Sequence, residues 1–75
     1  MYYRYAVARS GRLEEKRFVR KQSALEHAQR ITIEQHDSTR VYRQCHHAGT
    51  RQCDIALLVE YWWDGDYGLQ FQERR

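Results

Sequence analysis

The sequence predicts an α+β protein in which an antiparallel β-sheet in ββαβββ order carries a single α-helix packed on one face. Three patterns lead to this fold class. Residues 2–9 alternate between the two sides of a strand, residues 23–35 repeat with helical spacing, and the run from Cys53 to Trp63 is apolar and rich in β-branched and aromatic residues. That run stops at Asp64-Gly65 and is typical of a strand at the centre of a sheet. A chain of 75 residues makes one small domain, spanning residues 1–75, with one core.

Two strands precede the helix. Residues 2–9 form the first, and its side chains face two sides: Tyr3, Tyr5 and Val7 on one, and Tyr2, Arg4, Ala6 and Ala8 on the other. Ser10-Gly11 is a favourable pair for a tight turn. Residues 13–20 form a second strand, whose many charges suit an edge position because they discourage pairing with another chain.

The helix begins at a capping box formed by Ser23 and Glu26. One stripe is expected to pack on the sheet, with small alanines that allow a close approach: Ala24, Leu25, Ala28, Ile31 and Gln35. Ile33 lies on the opposite side, which indicates either fraying near the helix end or an exposed apolar contact; we favour fraying. Residues 36–38, His-Asp-Ser, end the helix.

Three strands follow the helix. Residues 39–46 form the third strand, and residues 48–50, Ala-Gly-Thr, form the turn into the apolar run. A turn centred on Gly49 sets three cross-strand pairs: Val41 with Leu57, Thr39 with Val59, and Cys45 with Cys53. The helix then covers the side that carries Thr39, Val41, Ile55, Leu57, Val59 and Tyr61. A short last strand contains the alternating residues Tyr67, Leu69 and Phe71, and residues 73–75 form a polar tail.

The other side of the sheet is the candidate binding surface. A helix of about thirteen residues is roughly 20 Å long and cannot cover both sides of a sheet. Six residues are predicted to form the binding surface on the uncovered side: Tyr2, Arg4, Arg40, Tyr42, Leu58 and Trp62. An uncovered side with large aromatic and arginine side chains is either a partner surface or a homodimer interface.

The composition supports a binding role. Eleven of the 13 basic residues are Arg, and the chain contains ten aromatic residues, six of them Tyr. Arg makes bidentate contacts and stacks on rings, and Arg and Tyr are enriched in binding surfaces. Arg interleaved with aromatic residues also suits stacking on single-stranded nucleic acid. Glu60 in the middle of the uncovered side argues against nucleic acid, as does the absence of an RNA-recognition motif, and a net charge of +3 decides neither way.

The residues that carry chemistry do not form a recognisable catalytic or metal motif. Cys45, His46, His47 and Cys53 are of the types that bind zinc, but their spacing matches no zinc motif, and neighbours in a strand face apart. We expect no metal, no cofactor and no enzymatic activity. The two cysteines either form a disulfide across the hairpin or remain free thiols, and the free thiols are favoured in a reducing cytoplasm. Met1 is followed at once by Tyr-Tyr-Arg-Tyr rather than by a secretory leader, so a cytoplasmic location without membrane association is expected.

The chain resembles the small phage-encoded anti-CRISPR proteins of ββαβββ type. The resemblance lies in Ser23, residues 28–31 (Ala-Gln-Arg-Ile) and residues 34–35 (Glu-Gln), followed by a strand, a turn, an aromatic strand and Asp64-Gly65. It implies a non-enzymatic inhibitor of type I CRISPR surveillance complexes. Such inhibitors bind Cas subunits, and they keep target DNA from the guide or disturb the choice of DNA. The chain departs from them in its extended Cys45-to-Cys53 hairpin and its heavier aromatic content.

Together, these patterns predict a non-catalytic phage or mobile-element protein in the cytoplasm of a bacterial host. It is expected to bind a protein partner, with a CRISPR effector complex as the leading candidate, and to block DNA recognition. The alternative is a small nucleic-acid-binding module that uses the same uncovered side of the sheet. A homodimer formed through that side is the third expectation.

Overall fold

The computed structural model describes residues 2–49 and 53–74, and it confirms the predicted α+β class. The elements are β1 (Tyr2–Arg9), β2 (Arg12–Phe18), α1 (Lys21–Gln35), β3 (Thr39–His46), β4 (Cys53–Asp64) and β5 (Gly68–Glu73). All four strand pairs are antiparallel, and α1 packs on one side of the sheet. Met1, Thr50 of the predicted turn and Arg75 of the predicted tail lie outside the described residues.

The strand order is β2-β1-β3-β4-β5, so β3 and not β4 lies at the centre of the sheet. The expectation for β4 was therefore wrong. Its apolar run is buried only in the second half, around Val59 and Tyr61, whereas residues 53–56 are exposed. The apolar pattern could not show which strand lies in the middle, because β3 and β4 each pair with two neighbours. The prediction that β2 lies at an edge is confirmed.

A β-bulge divides the β3–β4 ladder. On one side of the bulge Val41 pairs with Val59 and Thr39 pairs with Tyr61; on the other side Tyr42 pairs with Leu57. The predicted pairing of β3 with β4 was therefore wrong by two residues at the end near the helix, around Thr39, and by one residue at the hairpin end. The even shift preserved the predicted side of the residues near the helix. The odd shift moved the β4 side chains between the hairpin loop and the bulge to the opposite side of the sheet.

The bulge corrects the side predicted for three residues of β4. Leu58 was expected on the side away from the helix, but it packs against the core on the side of α1. Ile55 and Leu57 were expected under the helix, but they pair with Gln44 and Tyr42 on the other side. The physical reason is the extra residue in β4, which interrupts the two-residue period from which the sides were inferred.

Matched threonine substitutions should separate the two sides of the bulge. We expect Leu58→Thr to lower the free energy of unfolding by about 1–2 kcal/mol, because it removes apolar contacts with the core. Ile55→Thr should change it by less than about 0.5 kcal/mol, because Ile55 is exposed and threonine keeps the β-branched shape. Urea unfolding, monitored by circular dichroism, measures both changes in the free energy of unfolding. Equal costs would place both side chains in similar surroundings and contradict the bulge.

Helix α1 begins three residues earlier than predicted. Its N-cap is Arg20, which makes no side-chain capping hydrogen bond, so the predicted capping box is wrong. Strand β2 ends at Phe18, whose ring packs against the core, and the chain turns into the helix at once. Ser23 therefore lies inside the first turn rather than at the extended residue that a side-chain cap requires. The predicted C-terminus is confirmed: His36 adopts a left-handed conformation with φ 58°, and its backbone N–H donates to the Thr32 carbonyl.

The core lies between α1 and the middle of β1, β3 and β4. It is formed by Val7, Ala24, Ala28, Val41, Val59 and Tyr61. Ala24 and Ala28 are fully buried, as their small size predicted. Gln35 of the predicted stripe is exposed, and Thr32, which was not predicted, is buried. Ile33 is exposed within the regular helix, so it is an exposed apolar residue and not a frayed end.

Two hydroxyl groups cross the helix–sheet interface. Thr32 Oγ1 and Thr39 Oγ1 are 2.9 Å apart, and the Thr39 hydroxyl also lies 3.3 Å from the Ala28 carbonyl. Both threonines are almost completely buried, so the pair satisfies polar groups that water cannot reach. Within residues 2–49 and 53–74, no helix has the length and apolar character that a membrane crossing requires.

Candidate functional site: the open face

The open face is the side of the sheet opposite α1. Strand pairing arranges its side chains in rows: Ala8, Arg40, Glu60 and Gln72; Ala6, Tyr42 and Leu57; Arg4, Gln44 and Ile55; and Tyr2, His46 and Cys53. Strand β2 adds Leu13, opposite Ala8, and Arg17, opposite Ala6. Trp62 lies beside Gln70 at the β5 side. The described chain is 48 Å long in its largest dimension, so these rows form an extended surface rather than a pocket.

Five of the six predicted binding residues lie on the open face. They are Tyr2, Arg4, Arg40, Tyr42 and Trp62. Leu58 is the exception, because the bulge in β4 places it on the side of α1. The five do not converge at one point: Tyr2 and Arg4 lie towards the hairpin end, Arg40 and Tyr42 lie near the middle, and Trp62 lies near β5.

Glu60 forms ion pairs with two arginines, so its negative charge is offset on the open face. Its Oε1 lies 3.1 Å from Arg40 Nε and 3.7 Å from Arg74 Nη2. A hydrogen bond that the Arg40 guanidinium donates to the Tyr42 side-chain oxygen, together with the negative charge of Glu60, raises the pKa of Arg40 above its ordinary value. Arg40 and Arg74 are both charged at physiological pH, as arginine side chains in proteins are. The two guanidinium groups outweigh the one carboxylate, so this part of the open face is basic.

An apolar groove crosses the open face between β2 and β4. It has a volume of about 200 Å³ and is lined by Ala8, Gly11, Leu13, Tyr42, Gln44 and Ile55. Leu13 and Ile55 are 43% and 59% exposed, although both are large apolar residues. Gln44 is buried in its floor and accepts a hydrogen bond of 3.0 Å from Arg17 Nε. The groove therefore combines exposed aliphatic side chains with a positioned guanidinium at its border.

Sequence reasoning missed Leu13 and Ile55 for different reasons. A two-residue turn at Ser10-Gly11 places Arg9 opposite Arg12 and Ala8 opposite Leu13, and this pairing is observed. Leu13 could thus have been found from the turn. Ile55 could not have been found in this way, because the bulge that brings it to the open face leaves no clear pattern in the sequence.

A stack of side chains covers the end of the open face that is remote from α1. The Tyr2 and His46 rings are 4.8 Å apart and nearly parallel, and the Arg4 guanidinium lies 4.7 Å from the centre of the Tyr2 ring. His46 Nε2 is 3.9 Å from Cys53 Sγ across the strands. These contacts hold Tyr2 and Arg4 in defined positions, so the entropy lost when they bind a partner is reduced.

The two cysteines are free thiols, as the sequence favoured. Cys45 lies opposite Asp54, and Cys53 lies opposite His46. Cys45 and Cys53 therefore project from opposite sides of the sheet, which rules out a disulfide between them without a change of register. In the part of the chain that the structure describes, no three His, Cys, Asp or Glu side chains come together in a way that could hold a metal ion.

The chain was compared with protein-family models, with curated proteins and with solved structures, and no significant match to any of them was found. The open face is therefore interpreted from its own geometry and chemistry.

Proposed function

We propose that this protein is a non-catalytic binding protein whose open face occupies an acidic surface of a protein partner. The observation that carries the proposal is the apolar groove with Leu13 and Ile55 in it and arginines around it. Protein interfaces have a dry apolar centre and a polar border, and Tyr and Arg supply much of their binding energy. The groove offers the centre, and Arg4, Arg17 and Arg40 offer the border.

The groove favours protein over nucleic acid as the partner. Single-stranded nucleic acid is bound by exposed aromatic rings on which bases stack. On the open face one side of the Tyr2 ring is already stacked on His46, and the large exposed side chains in the groove are the aliphatic Leu13 and Ile55. Aliphatic side chains in a groove suit the side chains of another protein. The arginines provide charge complementarity, which raises the association rate and selects acidic partners.

The proposed partner is a subunit of a CRISPR surveillance complex of type I, and the protein would act in a bacterial host as a phage or mobile-element inhibitor. The support is the resemblance of the chain to anti-CRISPR proteins together with the basic character of the open face. By covering an acidic surface beside the DNA path, or by filling space that DNA would occupy, the protein would block DNA recognition without any chemical step.

A glutamate in the groove should abolish most of the binding. We expect Ile55→Glu to weaken partner binding by about tenfold or more, because it places a charge in the apolar centre and repels an acidic partner. The measurement is a pull-down of the tagged protein from a lysate that contains type I effector complexes, followed by titration of the captured complex. Ile33→Glu is the matched control, because Ile33 is also an exposed isoleucine but lies on α1.

Nuclease treatment separates the proposal from its alternative. A stoichiometric partner that is retained after nuclease treatment, and is lost with Ile55→Glu but kept with Ile33→Glu, is the expected result. Recovery of nucleic acid alone, with affinity that falls steeply as salt rises, would instead favour the nucleic-acid-binding module. Equal binding by both variants would mean that the groove is not the contact surface.

A further inference from the structure

The two edges of the sheet are protected to very different degrees. The β2 edge contains five charged residues among seven, and Arg17 Nη1 donates to the backbone carbonyls of Glu14 and Lys16. Charged side chains and occupied carbonyls discourage another strand from pairing there. The β5 edge, Gly-Leu-Gln-Phe-Gln-Glu, contains a single charged residue at its end. It has neither lysine nor proline, which are common protections of an edge strand.

The pattern of hydrogen bonds between β4 and β5 shows which backbone groups of β5 point away from the sheet. The backbone N–H of Arg74 donates to the Leu58 carbonyl at 2.8 Å. Because hydrogen-bonded pairs alternate in an antiparallel ladder, residues 68, 70 and 72 also direct their N–H and C=O groups towards β4. Leu69, Phe71 and Glu73 consequently direct theirs away from the sheet. The Gln70 side chain donates to the carbonyls of Leu69 at 3.2 Å and Tyr67 at 3.4 Å, but it is partly exposed and can move aside.

Two of the three residues at these outward positions, Leu69 and Phe71, have apolar side chains on the side of α1. Phe71 is 61% exposed, and its ring lies at 6.3 Å from the Tyr61 ring. Leu69 packs at the margin of the core. A strand added at this edge would complete the backbone ladder and cover Phe71 at the same time.

We propose that β5 pairs with β5 of a second copy of this chain, antiparallel and about a two-fold axis. Leu69 of each copy would lie opposite Phe71 of the other, and Gln70 would lie opposite Gln70. This register brings the outward-facing groups of Leu69 and Phe71 together as hydrogen-bonded pairs, and it joins four apolar side chains into one cluster. Each of these apolar pairs occurs twice about the axis, as a two-fold contact requires.

The dimer would have a consequence for binding. A two-fold axis perpendicular to the sheet gives a continuous sheet of ten strands with both helices on one side and both open faces on the other. Two grooves on one surface would allow a partner with repeated or symmetric acidic sites to bind both copies, with the gain in avidity that follows. The pairing itself does not depend on the proposed function, because β5 and the groove are separate surfaces.

The test is the mass of the 75-residue chain as its concentration is raised. An edge-to-edge contact is smaller than a standard interface, so we expect dimers at concentrations on the order of 100 µM. Sedimentation velocity should show the mass rising from 9.2 kDa towards twice that value. Phe71→Lys should raise the protein concentration at the midpoint of the monomer–dimer transition by at least about tenfold. Leu13→Lys, at the opposite edge strand and in the groove, should leave the midpoint unchanged.

A second measurement tests the register. Hydrogen exchange should slow at the amides of Leu69 and Phe71 as the concentration rises, while those of Gln70 and Gln72 stay protected throughout. A monomer at every concentration up to about 1 mM, or a dimer that Leu13→Lys disrupts and Phe71→Lys does not, would overturn the proposal.

Discussion

Replacing Tyr61 with alanine is expected to lower the free energy of unfolding by about 3–5 kcal/mol, as is usual when a large buried aromatic side chain is removed. Tyr61 is 5% exposed and packs between α1 and β5. Its hydroxyl accepts a hydrogen bond of 2.9 Å from Gln29 Nε2. A protein of 75 residues has a total stability of roughly 4–11 kcal/mol, so the variant would be close to unfolding at physiological temperature.

Tyr61→Phe is the matched control. It keeps the ring and removes only the hydroxyl, so we expect a cost of about 1 kcal/mol from the lost hydrogen bond to Gln29. Urea denaturation of both variants, followed by far-ultraviolet circular dichroism, gives the two free energies. If alanine cost no more than phenylalanine, the ring would not be part of the core.

Thr39→Val should lower the free energy of unfolding by about 2 kcal/mol. The substitution preserves the shape of the side chain but leaves the buried Thr32 hydroxyl without its partner in β3. A buried polar group that loses its hydrogen-bond partner carries its full desolvation cost. The effect is therefore expected to exceed that of a typical exposed substitution by a wide margin.

The double variant decides whether the cost comes from the unpaired hydroxyl. Thr32→Val together with Thr39→Val replaces both partners by apolar groups of the same shape, and this exchange is expected to be nearly neutral. The double-mutant cycle should therefore show a coupling free energy of at least about 2 kcal/mol between the two positions. Additive costs would mean that the two hydroxyls contribute independently and that the contact at 2.9 Å carries no energy of its own.

Much of the open face could be predicted from alternation alone. The two-residue period of a strand places Tyr2 with Arg4, and Arg40 with Tyr42, on the side away from the helix, because each of these pairs lies within one uninterrupted strand. Trp62 follows for the same reason, since it lies on the helix-proximal side of the bulge. The period holds as long as no residue is inserted, and for these positions none is.

The groove could not be predicted in the same way. Its residues come from β1, β2, β3 and β4, so its existence depends on which strands are neighbours. Ile55 reaches it only because the bulge in β4 exchanges the sides of Ile55 and Leu58. The helix start shows the same limit on a smaller scale: the local pattern at Ser23 suits a cap, but the packing of Phe18 sets where the chain turns.

The sequence by itself determined the order of the elements, the α+β class, the charged edge at β2 and the side on which most strand residues lie. These properties follow from short-range periodicity, turn residues and charge. Only the tertiary structure decided the central position of β3, the bulge at Leu58, the groove and the outward-facing backbone of β5. Each of these depends on contacts between residues far apart in the chain, where the free energy of packing outweighs the preferences of the local sequence.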